Sequence, residues 1–217
     1  MTTAGKALQR RALRTVVRQF GHPRSIAGRI AGWVMAHRRS NQQRNSWAVA
    51  LLDVRPTDRV LEIGFGPGLA IAELAHRTTQ GRVYGIDHSA VMVHQASRRN
   101  YAAIRARRVA LMHGSVDQLP SFDEPLDAIL AVNSLGFWPD PAQRLHDLRR
   151  LLRPGGRVAL ATQPRCPGAT RDTTAGAARE LHDLLTQAGF VQIRLETLQL
   201  DPPVACVLAT NPVDGPR

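Results

Sequence analysis

Cysteine is scarce: Cys166 and Cys206 are the only two in 217 residues, and no CxxC spacing joins them. That argues against a disulfide framework and a cysteine-rich zinc cage. The eight histidines form no HxxxH or HExxH pair, so no metal site is expected either. A run of about 18 apolar residues, the minimum for a membrane-spanning helix, is missing, as is the unbroken apolar segment of a secretory leader. The expected location is therefore cytoplasmic. Lysine is nearly absent, Lys6 being the only one, so arginine carries almost all the positive charge. Acidic residues are absent before Asp53, whereas Lys6, Arg10, Arg11, Arg14, Arg18, Arg24, Arg29, Arg38, Arg39 and Arg44 precede it. The remaining chain has 19 basic against 17 acidic residues, so the net charge of +12 belongs mostly to the N-terminal segment. A partner attracted by charge would meet that segment rather than the body.

What is present suits one catalytic domain with a short appendage: 43% of the residues are hydrophobic, enough for a layered core. From Lys6 to Phe20 the residues Leu8, Ala12, Leu13, Val16, Val17 and Phe20 recur at helical spacing, with Arg10, Arg14 and Arg18 opposite. Gly21, His22 and Pro23 interrupt this basic amphipathic helix. A second helix is expected around Ile26, Ile30, Trp33 and Val34, and a third over 44–52. These helices either bury their apolar stripes on the catalytic domain, leaving the arginines solvated, or touch a membrane surface or nucleic acid. The expected division is a helical extension over 1–45, a catalytic domain over 46–210 and a flexible tail over 211–217, the tail holding two prolines and a glycine.

Beyond Pro56, strand and helix patterns alternate as in a sheet covered on both faces. Strands are expected at 59–63, 82–86, 109–113, 126–132 and 157–161. Helices are expected at 69–76, from Ser89 towards Arg105, after Pro141 and over 173–188. The apolar runs 191–195 and 204–209 make a terminal antiparallel hairpin. The fold expected is α/β: a Rossmann-like, doubly wound, mostly parallel sheet of seven strands, with N-terminal helices added.

The most informative stretch is Val60-Leu61-Glu62-Ile63-Gly64-Phe65-Gly66-Pro67-Gly68, a strand running directly into a glycine turn ahead of a helix. A nucleoside lying against the backbone there needs side chains out of the way and dihedral angles that glycine tolerates. A dinucleotide turn would read GxGxxG, with its third glycine where Leu69 stands; this one reads GxGxG. Asp87, ending the second strand, is placed to accept hydrogen bonds from both hydroxyls of a ribose, which fits either kind of cofactor.

The sequence resembles the class I S-adenosylmethionine-dependent methyltransferases over roughly 47–210, in particular their small-molecule and lipid-modifying branch. The resemblance is carried by VLEIGFGPG at 60–68, GID at 85–87, HGSVDQLP at 113–120, DAILAVNSLGFW at 127–138 and LRPGGRVAL at 152–160. It implies S-adenosylmethionine as cofactor, with S-adenosylhomocysteine as product. It implies that Glu62 organises the methionine end, that Gly64, Phe65, Gly66 and Gly68 form the turn against the cofactor, and that Asp87 holds the ribose. His88 stands where the family often has an apolar residue beside adenine; it either stacks there or faces solvent. Ser115 replaces the family's usual acid after the glycine of the third motif. Ser115, Val116 through its backbone and Asp117 are the candidates for that contact.

Methyl transfer needs no side-chain nucleophile, because the sulfonium already activates the methyl group and positioning supplies much of the catalysis. The ends of the first and fourth strands meet at the reacting centre in this fold, so Asn133, Phe137 and Trp138 are expected to wall the acceptor, with Trp47 closing the other side. Phe137 and Trp138 have packing as their alternative role. His37, His113 and His146 have the chemistry of a general base but no context that selects one. The fourth motif lacks the (Asn/Asp)-Pro-Pro-aromatic run of enzymes that methylate nucleobase amines, and no second RNA-binding module accompanies the basic segment. Nucleic acid is thus disfavoured as partner, and a small amphiphilic or anionic acceptor is expected, with the N-terminal helices as lid. RNA methylation, a non-catalytic cofactor-binding regulator and a nicotinamide oxidoreductase stand as alternatives.

Overall fold

Alternation of side chains along five central strands decides the architecture, because nearly every position on both sides of those strands is apolar. A computed structural model describes residues 39–213. The two helices expected before residue 39, and His37 with them, lie outside the described residues.

Helix α1 (Arg39–Leu52) leads into β1 (Arg59–Ile63), α2 (Leu69–Arg77), β2 (Arg82–Asp87), α3 (Ala90–Arg99), α4 (Tyr101–Arg105) and β3 (Val109–His113). Then follow β4 (Leu126–Val132), α5 (Pro141–Leu151), β5 (Leu152–Thr162), α6 (Arg171–Gln187), β6 (Val191–Leu198) and β7 (Val204–Thr210). The strands form one seven-stranded sheet in the order β3-β2-β1-β4-β5-β7-β6. β1 to β5 run parallel, while β7 enters antiparallel between β5 and β6. The doubly wound fold and its terminal hairpin match the expectation.

Each face has its own core. Leu61, Ile63, Ile86, Ile129, Val158 and Leu160 point to the side covered by α5 and α6, where Leu145, Leu148, Leu181 and Leu185 meet them. Val60, Val83, Ala128, Leu130 and Ala159 point to the other side, against Ala48 and Leu52 of α1 and Ile71 and Leu74 of α2. Burying a leucine of this kind contributes about 1.5–3 kcal/mol, and both layers are built mostly of such residues.

Three details depart from the sequence reading. The helix expected to run from Ser89 to Arg105 breaks at Asn100, whose side-chain amide donates to the carbonyls of Gly68 (3.2 Å) and Ala96 (2.9 Å). The division expected between residues 45 and 46 falls inside α1, which packs as one helix on α2, β4, β5 and β7. Asn211, the first residue of the expected tail, is buried and donates to the carbonyls of Leu152 (2.9 Å) and Arg153 (3.1 Å), fixing the Pro154-Gly155-Gly156 excursion within β5. Among the described residues no helix is long and apolar enough to cross a membrane.

Candidate cofactor and acceptor site

The carboxyl ends of β1, β2 and β4 converge at the point where the strand order reverses, the usual ligand crevice of an open α/β sheet. The glycine turn between β1 and α2 lies at this point. Gly64, Gly66 and Gly68 all have positive φ, at 73°, 52° and 78°. Their surroundings differ. A Cβ on Gly64 would lie 2.3 Å from the Cβ of Ser134, and one on Gly68 would lie 2.7 Å from that of Ala96. At Gly66 an added Cβ would meet nothing within 4 Å. The outer two glycines thus let the turn pack on β4 and α3, while the middle one opens onto space against which a ligand can rest.

Phe65 does not line that space. Its ring is buried in the core, where glycine at position 85 leaves room: a Cβ there would be 2.7 Å from Cδ1 of Phe65. Any part it takes in binding is through its backbone. Ser134, which the sequence reading missed, locks the turn by donating from Oγ to the carbonyl of Ile63 at 2.6 Å. Its signal was its position directly after Asn133 at the end of β4.

Asp87 stands opposite the turn. Its Oδ2 accepts from the Gly66 N–H at 2.7 Å and its Oδ1 from the Ser89 N–H at 2.9 Å, so both oxygens are oriented before any ligand arrives. Burial pushes this carboxyl above its ordinary range, although the Ser89 and Gly66 amides and the imidazoles of His88 and His113 pull the other way. Glu62, from the same face of the neighbouring strand, is 1% exposed. Burial first, and then the Asp87 charge, push it up to about 8, against one backbone hydrogen bond from Ile71. Its Oε2 is buried without a hydrogen-bond partner, so the protein leaves an acceptor beneath the turn unused.

Around the rim, the His88 ring stacks on Phe137 with centroids 5.7 Å apart. Phe137, 40% exposed, is thereby set beside the residue that follows Asp87. His113 reaches the backbone of the same corner, its Nε2 lying 3.1 Å from the carbonyl of His88. Trp138 takes the packing role of its two alternatives: it is 7% exposed and belongs to the core layer that includes Leu145 and Val116. Trp47 is half-buried against the opposite core layer, on α1. Val116 is buried, and Ser115 directs its hydroxyl to Asp117, holding that exposed carboxylate below its ordinary value. His146 is exposed on α5.

Asn133 takes a left-handed conformation, φ 55°, immediately beyond β4. Its Oδ1 accepts from the Gln163 N–H at 2.7 Å, which ties the ends of β4 and β5 together, while its Nδ2 is buried without a partner. Gln163 leads to a group the sequence reading overlooked. Arg44 Nη1 donates to Gln163 Oε1 at 2.6 Å, and Arg44 Nη2 donates to Asn41 Oδ1. The signal was present: Asn41, Arg44, Ala48 and Leu52 share one helical stripe, so two polar residues interrupt an apolar face.

Residues 60–156 match the family model described as a methyltransferase domain. An uncharacterized methyltransferase of Bacillus subtilis, YdaC, is 31% identical over 184 residues, which cover 84% of this chain and 98% of that protein. The ubiquinone biosynthesis O-methyltransferase of Alkalilimnicola ehrlichii is 36% identical over 110 residues, spanning 50% of this chain and 43% of that enzyme. In fold, the chain resembles the crystal structure of a SAM-dependent methyltransferase from Aquifex aeolicus, with TM-score 0.64, 20% identity and coverage of 80% and 93% of the two chains.

Proposed function

Because this chain belongs to the class I S-adenosylmethionine-dependent methyltransferases, we propose that it moves a methyl group from S-adenosylmethionine to an O, N or C nucleophile on a small or lipid-like acceptor. The observation that carries the cofactor assignment is the open face of Gly66 directly beside the prearranged Asp87 carboxylate, with the unsatisfied Glu62 oxygen behind them. A ribose needs a double acceptor, and a nucleoside needs a backbone without side chains. An amino-acid ammonium needs a carboxylate out of water. All three lie at one turn.

When bound, S-adenosylmethionine supplies an activated methyl. The protein's part is positional. Asp87 orients the sugar because the Gly66 and Ser89 amides already fix both of its oxygens. Glu62, which burial pushes up to about 8 in the free protein, would offer the ammonium a buried carboxyl whose ionised form that cation favours. Asn133 holds β4 and β5 at a constant separation where the acceptor would enter, and its spare amide N–H can hydrogen-bond that acceptor. Ser134 holds the start of the turn by its hydrogen bond to the Ile63 carbonyl.

The small-molecule class is supported by the absence of a nucleobase-amine motif after β4 and by the name of the ubiquinone-pathway relative. The test has two parts. Calorimetric titration should give micromolar binding of S-adenosylhomocysteine and none of NADH. Extracts incubated with the protein and isotopically labelled donor should yield labelled small products by mass spectrometry. Binding without labelling of any fraction would favour a regulator that senses the cofactor.

A further inference from the structure

Arg44 occupies an unusual place for an arginine: it is 3% exposed, within the buried stripe of α1. Among the described residues its hydrogen bonds go only to the neutral side-chain oxygens of Gln163 and Asn41, and its buried Nε has no partner there. Among the described residues no carboxylate pairs with it. The nearby charge is of the same sign: Arg165 Nη2 donates to the same Asn41 Oδ1, at 3.0 Å. Burial, with Arg165 adding to it, lowers the Arg44 guanidinium to about 9. A desolvated cation beside a second cation is destabilising unless an anion joins them, and amide oxygens satisfy donors without neutralising charge.

The cluster adjoins the transfer site. Gln163 is the first residue beyond β5, and its N–H is bound to Asn133 at the end of β4. We propose that Arg44 and Arg165 form the anchor for an anionic group of the acceptor, a carboxylate or a phosphate. This inference rests on the methyltransferase reading above. The planar forks of two guanidiniums suit either anion, and Arg44's unused Nε–H is available as a further donor. Acceptor choice is then set by charge at the junction of α1 with β5, and neutral compounds of similar shape bind poorly.

The test uses the full chain saturated with S-adenosylhomocysteine, titrated calorimetrically at fixed ionic strength with octanoate, octyl phosphate and octanol. At least one of the two anions should bind ten or more times more tightly than octanol, and the tighter anion identifies which group the site prefers. Arg44→Gln and Arg165→Gln should each lower anion affinity at least tenfold while octanol and S-adenosylhomocysteine affinities stay within twofold. Arg165 is exposed, so its variant reads the site even if Arg44→Gln fails to fold. Equal affinity for the three probes in the wild type, or unchanged anion affinity in Arg165→Gln, overturns this inference while leaving the methyltransferase reading standing. A wild type that does not bind S-adenosylhomocysteine overturns both.

Discussion

Glu62 is a carboxyl held almost wholly out of water. The unfolded chain gives up this proton near the ordinary glutamate value of 4.5, whereas the folded protein keeps it up to about 8. Its contribution to stability is therefore complete below about pH 4.5, is lost progressively as pH rises towards 8, and then levels off. Thermal melts of the cofactor-free protein should show Tm falling over that interval, and Glu62→Gln should flatten the fall; a parallel decline in both proteins would remove the assignment. At this scale the sequence made the grouping of three candidate residues legible. Glu62, Gly66 and Asp87 are contiguous with strands whose alternation is plain, so their positions follow from local pattern. The contact of Arg44 with Gln163 was not legible, because the two lie 119 residues apart and only the packing of α1 on the sheet brings them together.

The turn between β1 and α2 shows how one element serves two purposes through residues of the same type. Gly64→Ala forces a methyl into Ser134 on a left-handed backbone, and should cost about 3 kcal/mol of stability, read as a lowered denaturation midpoint. Gly66→Ala meets no atom and should cost only about 1–2 kcal/mol for its backbone geometry. Its effect falls on binding: calorimetry should show S-adenosylhomocysteine affinity reduced at least tenfold. Equal loss of stability in the two variants would contradict the separate roles given to these glycines. Element identities were readable from sequence, since alternation and helical spacing are local. The order of the strands was not, because period-two patterning says that a strand is buried without saying which strand lies beside it. The break at Asn100 was hidden for a related reason: the carbonyl of Gly68, one of those that hold it, belongs to a distant turn.

In the molecule as a whole, two apolar layers share one sheet, and β7 belongs to both. Val207 faces α6, while Cys206 and Leu208 face the α1 side. Val207 is fully buried, so Val207→Asp would place an uncompensated carboxylate in the interior. The expected loss exceeds about 4 kcal/mol, enough to abolish a cooperative melting transition by circular dichroism. Arg194→Gln on the neighbouring exposed strand should change stability by less than about 0.5 kcal/mol. The overall fold class was evident in the sequence from alternating units and the hairpin. The distribution of charge was evident too, but the burial of one arginine from that basic segment required the assembled layers.

The antiparallel insertion of β7 also bears on synthesis. It is the last strand in chain order, yet its berth is internal, so β5 and β6 remain without their shared neighbour until residue 210 has left the ribosome. A nascent chain halted before position 204 would leave one edge of β5 open and β6 with no strand beside it, an invitation to intermolecular pairing that chaperones would have to restrain.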